Sequence, residues 1–230
     1  ATVAILAAIR HAERTGIGQH IDMALLDTQV AMLANLGANF LVNGATSAPP
    51  LRMGNAHVNI VPYQVFEVSP NAQGARDFLI VAVGNDGQFA KLCECLDKPD
   101  WALDKRFVRN QDRVRHRDVL IPLLAEQLMT QGKQRWLTLL EAAKVPCGPI
   151  NNLAEVFADP HVQARQMVDH WQHDLGVPLD LVASPMKLSQ TPVRRDLPPP
   201  SLGQHTDEVL KEWLGLEPSQ CEALRHATAI

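Results

Sequence analysis

The first fifteen residues constrain the fold more than any other stretch. Ala1-Thr2-Val3-Ala4-Ile5-Leu6-Ala7-Ala8-Ile9-Arg10 reads as a helix that stops at Thr15-Gly16-Ile17-Gly18-Gln19. A helix this apolar has to be covered over most of its surface. It opens without a methionine, a cap or a lead-in strand, so the expectation is the C-terminal part of a larger protein, with some or all of the chemistry outside these residues. Arg10 and Glu13 leave it too short for a membrane span.

The 230 residues, 46% of them hydrophobic, suffice for one large domain or two small ones. The 21 Lys and Arg against 25 Asp and Glu leave a net charge of -4, which gives no bulk attraction for nucleic acid. Neither a nucleic-acid partner nor a membrane is expected, and single basic loops keep the capacity to hold a small anion. Cys93, Cys95, Cys147 and Cys221 form no disulfide framework, and Cys93-x-Cys95 lacks the two-residue gap of structural zinc sites. A reducing, cytoplasmic setting follows from that cysteine usage. No secretory signal is visible, and organellar targeting stays open.

The texture changes along the chain. Gln19 to Met23 is expected as a short strand, and Leu26, Val30, Leu33 and Gly37 place one helix over about 25–40. Residues 43–50, rich in small residues and proline, read as a linker. Val61–Val68 and Phe78–Val83 read as neighbouring strands joined by the turn residues of 69–74. Asn85 or Asp86 caps a helix with Phe89, Leu92, Cys93 and Leu96 on one face. One further helix carries Val114, Leu120, Ile121, Leu124 and Leu128, with Pro122 kinking it or marking its start. Another follows Thr130 with Trp136, Leu140 and Ala143. Residues 145–150 read as a stiff apolar connector, Asn151 or Asn152 as the cap of a short helix ending near Asp159-Pro160, and 161–168 as an additional helix. Beyond Trp171 loops and short strands are expected, then a helix from Thr206 to Leu214 closed by Gly215.

Few residues suggest chemistry by themselves. Gly16-Ile17-Gly18-Gln19 follows a helix, whereas a dinucleotide fingerprint follows a strand, so tight-turn glycines are the better reading. Met53-Gly54-Asn55-Ala56-His57-Val58-Asn59-Ile60-Val61-Pro62-Tyr63 gathers a glycine, two amides, a histidine and a tyrosine before a strand. These groups could orient a ligand by hydrogen bonds, against the plainer reading of an ordered linker. Gly84-Asn85-Asp86-Gly87 could offer backbone donors to an anion, but Asp86 would oppose it, and a structural cap is favoured. His161, His170 and His173 with Asp159, Asp169 and Asp174 match no standard ligand spacing, so no metal is expected. The basic run from Lys105 through Arg109 to Arg117 reads as a solvated face, with a cofactor-phosphate contact as the alternative.

As a set, these patterns resemble the family III CoA-transferases, the formyl-CoA transferase and carnitine CoA-transferase group. The resemblance rests on Thr15 to Asp27, Gly54-Asn55 to Pro62-Tyr63, and Ile80 to Phe89. It extends to Asp104-Lys105-Arg106-Phe107 with Asn110 and Arg113, Val145 to Ile150, and Gly203-Gln204-His205-Thr206-Asp207-Glu208-Val209-Leu210. It implies an α/β fold: part of a Rossmann-like large domain plus an inserted smaller α+β domain, in subunits that interlock as a homodimer. Mapped here, 1–45 is a large-domain segment (helix, short strand, helix), 46–160 the linker and small domain, and 161–230 the return linker and C-terminal large-domain segment.

The resemblance also implies transfer of CoA between an acyl-CoA and a small carboxylic acid through an aspartyl-CoA intermediate, with no permanently bound cofactor. Covalent relay divides a difficult acyl exchange into activated steps. The family aspartate is expected upstream of Ala1, since Asp22 and Asp27 follow the Gly-Gln turn and do not match it. An inactive C-terminal fragment without its nucleophile is therefore the expectation. Gly54, Asn55, His57 and Tyr63 are the candidate substrate-loop residues, because the loop is similar to the family's glycine-containing loop. Two alternatives remain: a relative that racemises 2-methylacyl-CoA thioesters, and a non-enzymatic binding or scaffolding module.

Overall fold

The computed structural model describes residues 1–43, 52–173, 176–194 and 196–230. Its chain divides into two compact units, Ala1–Ile150 and Asn151–Ile230. The expected linker at 43–50 lies almost entirely outside the described residues.

The first unit opens with α1 (Thr2–Thr15), which ends where Gly16 adopts φ 74° and returns its N–H to the Ala12 carbonyl. A left-handed residue at this position is the reason a glycine stops the helix cleanly. The expected strand at 19–23 does not form: residues 17–24 join no sheet. The single helix expected over 25–40 is two, α2 (Leu25–Met32) and α3 (Ala34–Asn43), bent by 69° at Leu33. Leu33 donates to the Val30 carbonyl, tightening the last turn of α2 and ending its run of i to i−4 bonds. No residue of α1 or α2 is buried.

The rest of this unit is built on an antiparallel sheet of three strands, ordered β1 (Tyr63–Val68), β2 (Asp77–Ala82), β3 (Cys147–Ile150). Tyr63 pairs with Ala82 and Val68 with Asp77, so Phe66 and Val68 share a face with Leu79 and Val81. All four are buried. Alternation of this kind places every second residue of a half-covered sheet in the core. Residues 147–150 are thus a strand, where a connector was expected. Gly148 and Pro149 disguise it, and Pro149 is tolerated because β3 lies at the sheet edge.

Helices α4 (Asp86–Cys95), α6 (Arg117–Leu128) and α7 (Lys133–Ala142) supply the cover. Their buried residues are Phe89, Leu92 and Cys93; Leu120, Leu124 and Leu128; and Trp136, Leu137 and Leu140. Each set follows the helical period of three to four residues, which is why the sequence announces it. Full burial of one such Leu or Phe contributes about 1.5–3 kcal/mol. Asn85 caps α4 by accepting from the Gln88 N–H at 2.9 Å. Between them, α5 (Asn110–Arg115) breaks from α6 at His116. Pro122 sits in the second turn of α6, where its missing N–H would have paired with the carbonyl of exposed Asp118, so the helix continues through it. Trp136 ties α7 to the end of α6 through a 2.7 Å bond from its indole N–H to the Leu128 carbonyl.

In the second unit, Asn152 and Glu155 form a reciprocal capping box that starts α8 (Leu153–Ala158). The segment expected as helix to residue 168 is α9 (Pro160–Ala164), followed at once by β4 (Val168–Gln172), which pairs antiparallel with β5 (Pro178–Val182). Helix α10 (Thr206–Leu214) ends at Gly215, φ 67°, and α11 (Pro218–His226), which carries no strong sequence signal beyond its initial proline, follows.

Candidate functional site

The loop from Met53 to Pro62 is held in a defined shape by its own polar groups. Gly54 has φ 61°, a left-handed conformation, and a side chain there would meet no atom within 4 Å. The requirement for glycine is therefore one of backbone conformation and not of space. The Asn55 side chain accepts from the Val65 N–H at 3.0 Å, and the His57 N–H donates to the Tyr63 carbonyl at 2.9 Å. The loop is thereby stitched to the first residues of β1.

His57 and Tyr63 meet as stacked rings, 5.3 Å between centroids and 10° between planes. His57 Nδ1 accepts from the Asn59 N–H at 3.1 Å. With Nδ1 occupied as acceptor, the neutral ring carries its proton on Nε2. All four residues singled out by sequence thus lie on one short loop and its strand. Gly54, Asn55 and Tyr63 are exposed and His57 half-buried.

What holds this loop against the body was not read from the sequence. Arg113, taken there for part of a solvated basic face, is fully buried. Its Nε donates to the Val61 carbonyl at 2.6 Å, its Nη1 to the Phe107 carbonyl at 2.8 Å, and its Nη2 to Asp86 Oδ1 at 2.9 Å. The guanidinium also lies over the Phe89 ring, 4.4 Å from its centroid. Burial pushes the Arg113 pKa below its ordinary value, and the hydrogen bond and charge of Asp86 oppose that shift. A buried charge persists only with such partners.

Asn110 completes the arrangement. Its amide donates to the Asn59 carbonyl at 2.7 Å and accepts from the Val61 N–H at 3.1 Å, while its own N–H donates to Asp86 Oδ1 at 2.9 Å. Asp86 is consequently a structural acceptor, while the cap of α4 is its neighbour Asn85. The available signal was the i, i+3 spacing of Asn110 and Arg113, which sets both on one helix face. Farther along, Arg117 donates to the Val58 carbonyl at 2.5 Å and to the His57 carbonyl at 3.3 Å.

Other chemical candidates behave differently. His170 pairs with Asp180 at 2.7 Å on the exposed β4–β5 hairpin, and Asp174 lies outside the described residues. Among the described residues no group of three His, Cys, Asp or Glu could hold a metal. The cysteines are all free thiols, and burial pushes Cys93 up to about 12, far from a nucleophilic thiolate. In the second unit a partly open cavity of about 660 Å³ is lined by Phe157, Val162, Met167 and Trp171 among others. No single helix among the described residues is long and apolar enough to cross a membrane; the bent pair α2–α3 passes by length and composition alone.

The tethered, polar glycine loop does not name a chemistry by itself, and comparison with known proteins supplies the family. The model of CoA-transferase family III matches residues 1–206. Succinate–glutarate CoA-transferase of Agrobacterium fabrum is 47% identical over 93% of this chain and 51% of its own length. Human succinyl-CoA:glutarate CoA-transferase is 37% identical over 92% of this chain and 46% of its own. The crystal structure of a CAIB/BAIF family protein from Brucella suis superposes with a TM-score of 0.70 at 41% identity, covering 91% of this chain and 52% of that one.

The chain belongs to CoA-transferase family III, and its α/β fold is that of the CAIB/BAIF proteins. It spans about half the length of the curated relatives it matches. The family match also corrects three expectations: that this is only a C-terminal part, that it lacks its nucleophile, and that it is inactive. The match starts at the first residue and runs through residue 206, so α1 belongs to the family domain and its abrupt beginning is no measure of missing chemistry.

Proposed function

We propose that the protein moves CoA between an acyl-CoA thioester and a free carboxylic acid, with dicarboxylates of four or five carbons as its substrates. The observation that carries this reading is the 47% identity, over 93% of the chain, with an enzyme named for succinate and glutarate. The human relative at 37% bears the same two acids in its name.

The loop offers chemistry suited to the reaction. Asn59, Tyr63 and Nε2 of His57 are polar groups fixed by backbone and side-chain bonds, so they can orient a thioester or a carboxylate without first being ordered. Carboxylate attack on a thioester passes through tetrahedral states whose oxygen charge is stabilised by donors already in place. In this reading Gly54, Asn55, His57 and Tyr63 border the substrate. Segments 1–45 and 161–230 belong to a large domain and 46–160 to a linker and small domain, and two copies of the protein pair as an interlocked dimer.

The test is incubation with succinyl-CoA and a panel of carboxylic acids, with each new thioester followed by mass spectrometry. Glutarate and its neighbours should be converted, and short monocarboxylates converted poorly. Epimerisation of 2-methylacyl-CoA without any acyl exchange would instead favour the racemase chemistry of related enzymes.

A further inference from the structure

We propose that Arg117 is a positioning residue, clamping the apex of the 53–62 loop to α6 and so fixing the His57–Tyr63 pair for its work on the thioester. This role rests on the CoA-transfer reading of the loop, while the clamp itself stands on geometry alone.

Arg117 is the first residue of α6, a helix anchored by the fully buried Leu120, Leu124 and Leu128. The clamp therefore has a rigid base. From it the guanidinium reaches back across 59 residues of sequence to the Val58 carbonyl, and across 60 to that of His57. The flanks of the loop have other ties. Asn55 is bound to Val65, and Asn59 and Val61 to Asn110 and Arg113. Carbonyls 57 and 58 lie between these ties.

Arg117 is half-buried, and among the described residues no carboxylate forms an ion pair with it. Burial pushes its pKa below the ordinary value with no acidic group opposing. A cation kept this way, bonded only to two backbone carbonyls, is matched to the loop and not to a general ion-pair lattice. Both bonds leave the one Nη2, and the planar guanidinium serves these neighbouring acceptors with little loss of freedom. The Val58 carbonyl belongs to the same rigid peptide as the Asn59 N–H, the donor to His57 Nδ1. Releasing the clamp would thus loosen the ring stack without touching the hydrophobic core.

The chain's one tyrosine makes this testable. With ring-labelled tyrosine, Tyr63 reports its stacking on His57 as a single NMR signal. In Arg117→Ala the Tyr63 signal should move toward that of an unstacked ring, with the melting temperature nearly kept. CoA transfer should fall roughly ten- to hundredfold, the loss of a charge-assisted bond. The fall should appear in kcat, with KM for succinyl-CoA within about threefold, because orientation and not ground-state binding is lost. Arg117→Lys should restore part of both the signal and the rate, since lysine can still donate to one carbonyl.

An unmoved Tyr63 signal in Arg117→Ala would overturn the clamp even if the wild-type protein transfers CoA. So would equal loss in the Ala and Lys variants. Should Arg117→Ala fail to fold, the Lys variant carries the comparison, with partial retention of the signal and rate supporting the clamp and their full loss contradicting it. A wild-type protein with the stacked signal but no CoA exchange would sink the transfer reading and leave the clamp standing.

Discussion

Two regions of the first unit start from similar apolar material and use it in opposite ways. Helices α4 and α6 each bury three residues in a common core with the sheet, and α7 adds Trp136 and Leu140. Helices α1 and α2 bury none, and Leu6 and Leu25 stand 62% and 85% exposed. Both regions satisfy their helical hydrogen bonds, and α1 even has a better-formed C-terminal stop than α6. The difference shows that helix formation is settled locally by period, propensity and caps, whereas burial depends on what lies opposite.

The comparison breaks most readily at a core leucine. Leu79→Ala or Leu120→Ala should cost about 2–5 kcal/mol, by the lost contacts and the cavity left behind. In the single chain, Leu6→Ala should cost less than about 0.5 kcal/mol, as surface changes do. Urea unfolding with the midpoint and slope fitted separately checks both. A large loss at Leu6 that depends on protein concentration would show that α1 is covered by a second copy.

The next effect concerns polar tethers within the body. Arg113→Ala should destabilise by about 2–4 kcal/mol, since it orphans the Val61 and Phe107 carbonyls and leaves Asp86 without its buried partner. Arg10→Ala in α1, on a helix with no buried residue, should be silent in the same assay. Smaller again is Gly54→Ala. Its φ of 61° costs about 1–2 kcal/mol for a residue with a side chain, although the space around it is open. Thermal denaturation resolves both.

The smallest effects are those of pH. Burial holds the Cys93 thiol up to about 12, so the folded chain keeps a proton that an unfolded cysteine gives up near pH 8.5. Its contribution therefore turns unfavourable as pH rises from about 8.5 toward about 12. Alkylation at pH 8 should leave Cys93 unmodified until the body unfolds, and mass mapping would show it. At the acid end, the hydrogen bond from Arg106 holds Asp104 down to about 2. That depressed value stabilises the fold above the ordinary aspartate pKa and is lost as pH falls toward about 2. The pair is exposed, so the change should be slight.

These contrasts also explain what could be read from the sequence. The β1–β2 pair, the Asn85 and Asn152 caps and the glycine stops at Gly16 and Gly215 are local patterns, and each is where its residues indicate. Strand β3 was hidden because Gly148 and Pro149 disfavour a strand, and only the edge of β2 makes one of them. The break at Leu33 was hidden for the converse reason, since an apolar period runs straight through it. Arg113 looks solvated because Arg109, Asp112, Arg115 and Arg117 surround it in sequence; its partners Val61 and Asp86 lie 52 and 27 residues away. The residue types of the candidate loop stand out in the sequence, but its ties to α5 and α6 do not, because long-range side-chain to backbone bonds leave no periodic trace.

The most direct measurement is transfer of CoA from succinyl-CoA to isotopically labelled glutarate. The account predicts labelled glutaryl-CoA accumulating as succinyl-CoA disappears, with total thioester conserved and the rate lowered in Arg117→Ala. Release of free CoA without labelled thioester, or no exchange with any dicarboxylate, would contradict it.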